Sequence, residues 1–345
     1  MADSLHEHTF EHSTQEENGG LSDSSVFLAS LAAVTFFPLI FIPFAVPFRG
    51  SIDTVDQVFR VLLLMSTMHV GLTAYFYFEG EYRRHAINHY KYYIALPLIV
   101  IFLCGAITMN FPNLGIHYLL VFYHAWLLFH YGRQNYGLLA FTTLATKGKS
   151  PNRLEKMALH LAPIGGILAA NSVLGAFDQT VFSSLSDEFF TIGAVITGIA
   201  ILSAATSALQ NLITHGSVKR SVCVFGLSLF YLPTFFFDNY TQAVLGYAIA
   251  HALQYFVFMV FLASGKPRQS AGRSLMVLVF AMLATWTVIV LTSESAMWGA
   301  LEGFIVGAAV GLVIWHFILD AGFWKLSVEW QRNSVKTRFG FLFDR

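Results

Sequence analysis

His117-Tyr118-Leu119-Leu120-Val121-Phe122-Tyr123-His124-Ala125-Trp126-Leu127-Leu128-Phe129-His130-Tyr131-Gly132-Arg133-Gln134-Asn135-Tyr136 is apolar at most positions, yet holds three histidines and an arginine. A hydrocarbon core about 30 Å thick needs roughly 20 helical residues. The stretch has that length, and it reads as the middle of a membrane-spanning helix over 115–140. Ionisable side chains at such depth must find partners or face a cavity, so they mark a functional site. At about 100° per residue, His117 and His124 share one stripe, and His130 and Gln134 share a second about 120° away.

Apolar stretches of similar length recur on both sides of it. Limits of 26–48, 58–79, 92–109, 115–140, 157–175, 190–213, 221–237, 241–264, 274–292 and 297–324 give ten spans. Hydrophobic residues make up 56% of the chain and charged residues 12%, a balance that a water-soluble chain of 345 residues does not need. The expected fold is all-α, a polytopic transmembrane helix bundle whose first partner is the lipid bilayer. Zero formal net charge gives no reason to expect a nucleic-acid partner. Cys104 and Cys223 lie in apolar stretches and suggest neither a disulfide framework nor a thiolate metal site.

Outside the spans, residues 1–25 are polar and acidic, lack Lys and Arg, and read as a disordered tail rather than a cleavable signal. Their His6, His8 and His12 read as solvated. Residues 325–345 read as a basic tail. With ten spans, all of the 20 Lys and Arg except Arg49, Arg60 and Arg133 fall on one face, and the positive-inside rule makes that face cytoplasmic. Both termini then lie in the cytoplasm of an integral protein of a bacterial inner membrane or its equivalent.

His69, His130, His251 and His316 each fall in a different span, and all four spans run in the same direction in this topology. They are expected to share a layer of the bilayer and to hold one metal ion, with His124 as a reserve ligand. An all-imidazole set with a nearby carboxylate and no thiolate suits iron, zinc or copper better than magnesium or calcium. Asp320 follows His316 by four residues, Gln134 follows His130 by four and Tyr255 follows His251 by four, which puts each on its histidine's helix face. Groups so placed can fix imidazole tautomer and orientation. Gln254 faces the same way, and Arg133 is expected to meet a carboxylate such as Asp320 or to snorkel.

Four short segments resemble the membrane β-carotene dioxygenases of the bacteriorhodopsin-related-protein family. Met68-His69-Val70-Gly71 is similar to that family's P-H-G-x-x-D, and His130-Tyr131-Gly132-Arg133-Gln134-Asn135 to its H-F-G-x-A-D. His251-Ala252-Leu253-Gln254-Tyr255 is similar to H-S-x-R-H, and Trp315-His316-Phe317-Ile318-Leu319-Asp320 to a last motif in which P-H precedes an apolar run and Asp. Both glycine-motif aspartates are replaced, one by Asn135, and Tyr255 stands for the second histidine of the third motif. The resemblance implies an iron (Fe2+) dioxygenase that uses dioxygen on an apolar lipid, isoprenoid or carotenoid.

Three other readings compete. Membrane desaturases carry histidine boxes at the cytoplasmic surface, and His85-Ala86-Ile87-Asn88-His89 has one such spacing, but companion boxes are missing. His85 and His89 therefore read as surface residues near lipid headgroups with Arg83 and Arg84. Paired histidines on facing helices would also suit haem in an electron carrier. A transporter or channel is the remaining class, favoured by Glu302, by the glycines Gly303, Gly307 and Gly311 at four-residue spacing, and by the polar span four. Pro163 and Pro233 are expected to bend spans five and seven.

Overall fold

Regular structure among the described residues is entirely helical, as the composition requires of a chain with long apolar runs. The computed structural model describes residues 23–45, 68–112, 114–146, 150–173, 181–214, 216–237, 241–265, 268–293, 299 and 301–343. In chain order the helices are α1 (Asp23–Ala45), α2 (described over 68–72), α3 (Tyr75–Phe78), α4 (Gly80–Asn88), α5 (Leu96–Asn110), α6 (Leu114–Ala145) and α7 (Arg153–Val173). After them come α8 (Ser186–Ile213), α9 (Val218–Ser228), α10 (Gly246–Ser264), α11 (Arg268–Ser293), α12 (Glu302–Phe323), α13 (Glu329–Arg338) and α14 (Gly340–Phe343). Of the N-terminal segment read as a tail, residues 1–22 and their histidines lie outside the described residues, and Asp23, Ser24 and Ser25 already belong to α1.

Among the described residues, five stretches are long and apolar enough to cross a membrane: Ser24–Ile42, Lys91–Asn110, Ser183–Ile213, Ala243–Ser264 and Glu302–Phe323. The fourth, which contains α10, is mostly buried, whereas the other four turn much of their apolar surface outward. Ile40 is 65% exposed, Leu98 60%, Phe102 61% and Leu202 69%. Water would disfavour so wide an apolar surface, and a bilayer would not. The molecule is thus a membrane-type bundle with α10 at its centre, where α1 packs against it.

Among the described residues, two of the expected spans depart from a continuous helix. Span two breaks between α2 and α3, where Thr73 and Ala74 form a turn and their amides donate to Val70 and Gly71 carbonyls at 3.2 and 2.9 Å. Just before the break, Gly71 lies so close to Thr285 and the Ala281 carbonyl of α11 that any Cβ there would collide with both. Span seven was expected to run from 221 to 237, but α9 stops at Ser228 and the chain proceeds through turns and a 3-10 turn at Leu232–Phe235. Pro233 supplies the reason: it has no N–H to give the Leu229 carbonyl. Pro163, in contrast, lies inside the unbroken α7.

The glycine row of α12 packs on α5. A Cβ at Gly307 would strike Thr108 and the Cys104 carbonyl, and one at Gly311 would sit 2.6 Å from Ile101 Cα. Thr108 Oγ1 also donates to the Gly303 carbonyl at 2.5 Å, so the helices are joined as well as close. Gly307→Val is expected to force them apart at an overpacking cost of about 1–3 kcal/mol. Thermal unfolding in detergent reads this as a lowered midpoint, and an unchanged midpoint contradicts the packing.

Within the segment read as a basic tail, residues 325–343 pack against the bundle. Phe339 is fully buried, with ring centroids 5.7 Å from Phe27, 5.2 Å from Phe141 and 6.1 Å from Phe258. Arg338 donates to the Leu262 carbonyl at 3.2 Å and lies 3.6 Å from Glu79, while Ser334 donates to Tyr82 at 2.8 Å. The basic residues set this segment's composition, but its apolar side chains set its placement.

Candidate metal centre

Four helices and one turn converge on a buried cluster of imidazoles. α2 brings His69, α6 brings His130, α10 brings His251 and α12 brings His316, and none is more than 8% exposed. The ring centroids of His69 lie 4.8 Å from both His251 and His316, and those of His130 lie 5.0 and 5.2 Å from the same two rings. Potential ligand atoms of His69, His251 and His316 all fall within 4.8 Å of one another, as do those of His130, His316 and Asp320. His316 belongs to both groups and sits at the junction.

Buried polar atoms normally have hydrogen-bond partners, and an orphan costs about 1–3 kcal/mol. His130 Nε2, His251 Nδ1 and His316 Nε2 are buried without such a partner. His69 Nε2 and His251 Nε2 face each other at 3.1 Å. Two ligand nitrogens each at 2.0–2.1 Å from a transition metal would subtend roughly 100° at that separation, between the octahedral and tetrahedral values. The residues fit a compact transition-metal ion.

Around the rings, Asp320 Oδ2 lies 3.7 Å from His130 Nε2 and Oδ1 lies 3.7 Å from His316 Nδ1. Tyr255 donates to Asp320 Oδ1 at 2.8 Å, its oxygen is 3.2 Å from Thr73 Oγ1, and Thr73 Oγ1 is 2.5 Å from His316 Nδ1. Phe317 stacks on His130 at 4.5 Å and Tyr131 tilts over His251 at 4.2 Å. These aromatic faces hold the rings in place and keep water from them.

Asp320 lies beside His316 as its helical spacing put it, whereas Tyr255 turns from its own His251 to Asp320 and Thr73. Gln134 is at the site too, but it serves another helix: its amide donates to the His251 carbonyl at 3.1 Å and to Gln254 Oε1 at 2.7 Å. Gln254 passes the link on to Thr35 of α1 at 2.8 Å. His124 is not brought into either ligand group; its Nδ1 lies 2.8 Å from the Leu120 carbonyl, one turn back on α6. Arg133 does not meet Asp320: it is exposed, with its guanidinium 5.7 Å from the Tyr136 ring centre. His85 lies in α4, outside these groups, stacked on Trp330 at 4.3 Å, and burial followed by the neighbouring His89 lowers its pKa.

Thr73 and Thr35 escape the sequence reading: Thr73 lies four residues after His69, a spacing that could have singled it out, but a threonine in an apolar helix ordinarily bonds back to its own helix. Thr35 does so as well, donating to Leu31 at 2.6 Å. Neither a protein family, a curated protein nor a solved structure matches this chain.

Proposed function

We propose that the protein is an integral membrane, metal-dependent oxygenase that uses iron and dioxygen on an apolar lipid, isoprenoid or carotenoid entering from the bilayer. The observation that carries the reading is the convergence of four buried imidazoles, three of them with an unbonded ring nitrogen, beside one carboxylate. His69, His130, His251 and His316 hold the ion, and Asp320 stands close enough to two of them to balance its charge. Bound iron with an open position would supply dioxygen activation. Tyr255 and Asp320 hold a proton between the phenol oxygen and Oδ1, and Phe317 and Tyr131 exclude water from the imidazoles. The close ring spacing supports a single ion over a porphyrin slotted between two histidines.

The finer topology belongs to this reading: ten spans, both termini cytoplasmic, and the four ligand helices parallel in a bacterial inner membrane or its equivalent. Within it, central cleavage of β-carotene to retinal is the narrower claim that the four motif segments raise for test. The helix break at Thr73 favours a second reading, transport, because broken helices line the ion sites of many transporters.

Metal analysis of detergent-purified protein decides between them. We expect iron near one per chain, with zinc or copper competing for the same site; a chain that retains no transition metal, even after anaerobic addition of Fe2+, leaves transport as the reading. Coexpression with a β-carotene pathway, scored for retinal, tests the substrate.

A further inference from the structure

The hydrogen bonds beside the histidine cluster have a direction that proton counting fixes. With Asp320 ionised and so only an acceptor, Tyr255 gives its one hydroxyl proton to Asp320 Oδ1 at 2.8 Å. Its contact with Thr73 at 3.2 Å must then be one in which Thr73 donates. Thr73 likewise has a single proton, so its contact with His316 Nδ1 at 2.5 Å requires that the imidazole donate. The ring proton therefore sits on Nδ1. Nε2 is left as a bare lone pair, and Nε2 is the buried atom of His316 that has no hydrogen-bond partner.

We infer that Thr73 is the positioning residue that fixes His316 in its Nδ1–H tautomer and so presents the Nε2 lone pair to the metal. The inference rests on the metal-centre reading for its purpose but not for its geometry. Each member is buried: Thr73 and His316 are fully so, Tyr255 is 2% and Asp320 6% exposed. Water therefore does not compete for the bonds. The break between α2 and α3 gives Thr73 its role, because its hydroxyl is directed to α12 and α10 rather than back along its own helix. Asp320 is the terminal acceptor of the chain, which gives its carboxylate a second task besides facing His130.

The test uses the full-length protein labelled with 15N-histidine, read by NMR in the metal-free state, with the His316 signals assigned by their loss in His316→Gln. Wild type and Thr73→Ser are expected to show a proton on Nδ1 and none on Nε2. Thr73→Val, and Tyr255→Phe one link further along, are expected to admit the opposite tautomer. Titration with Co2+, followed by its ligand-field absorption, should show affinity falling roughly 10–100-fold in Thr73→Val and recovering in Thr73→Ser, the range typical of groups that orient a metal-bound histidine. A wild-type His316 protonated at Nε2, or wild-type tautomer and Co2+ affinity in both Thr73→Val and Tyr255→Phe, overturns the assignment. Should Thr73→Val fail to fold, Tyr255→Phe and Thr73→Ser still decide it. If wild type shows the expected tautomer but takes up no Co2+, the metal reading fails and the role of Thr73 in setting the tautomer stands.

Discussion

His316→Ala is expected to abolish stoichiometric metal binding, while His124→Ala leaves it unchanged. His316 is the imidazole shared by both groups of potential ligands, so its loss removes a donor from each and takes from Thr73 one of its two partners. Binding free energies of 10–16 kcal/mol spread over four ligands correspond to roughly 3 kcal/mol for one, or somewhat more than a hundredfold in affinity. His124 instead lies against the carbonyl of its own helix. Metal content after gel filtration, with thermal unfolding to verify the fold, reads the result. Equal metal in wild type and in a folded His316→Ala protein would falsify the centre. His130→Ala is the companion variant, since His130 joins only the group that includes Asp320.

The second large effect lies outside the histidine cluster. Arg220 of α9 donates to Glu155 Oε1 at 2.7 Å and to Oε2 at 2.6 Å, with Glu155 completely buried and Arg220 7% exposed. Removing one partner of such a pair leaves an uncompensated buried charge and typically costs about 3–5 kcal/mol. Arg220→Leu should therefore lower the unfolding midpoint sharply, more than Gly307→Val does. Replacing Glu155 and Arg220 together by apolar residues should recover much of the loss, because the desolvation of both charges is removed with their attraction. Burial alone would raise the Glu155 pKa, but bonds from Arg220, the Asn152 amide and Asn211 outweigh it and hold the carboxyl below its ordinary value. The sign follows: the pair's contribution is complete above the ordinary glutamate range and fades as pH falls through the lowered value of the folded state. Unfolding midpoints measured across acidic pH should thus converge for wild type and the double variant. Parallel curves would contradict the linkage.

How much of this was legible in the chain depends on what each feature costs. Four histidines in apolar stretches are expensive, so they stand out individually, and their convergence follows once the helices are bundled. Asp320 follows from the period of its helix, whereas the bonds of Tyr255 to Asp320 and Thr73 need three separate elements to meet. Thr73 stands four residues after His69, where the motif that Met68-His69-Val70-Gly71 resembles has its aspartate. Its link to His316 depends on a turn that no periodicity announces. The Glu155–Arg220 pair joins residues 65 apart and needs the packing of α7 against α9 to exist at all. Composition misled at the C-terminus, where Arg and Lys average out the apolar side chains of Phe339 and Leu342 that fix it in the core.

The link between Thr73 and His316 spans 243 residues, and that between His69 and His251 spans 182. A chain made and inserted from its N-terminus thus carries His69 and Thr73 into the bilayer long before their partners exist. The centre becomes complete only when α12, the last long helix, has been delivered. If the centre holds a metal as proposed, loading would be an event of late maturation. A truncated or stalled product that lacks α12 would lack the histidine shared by both ligand groups, so the proposed centre would switch on only in finished molecules.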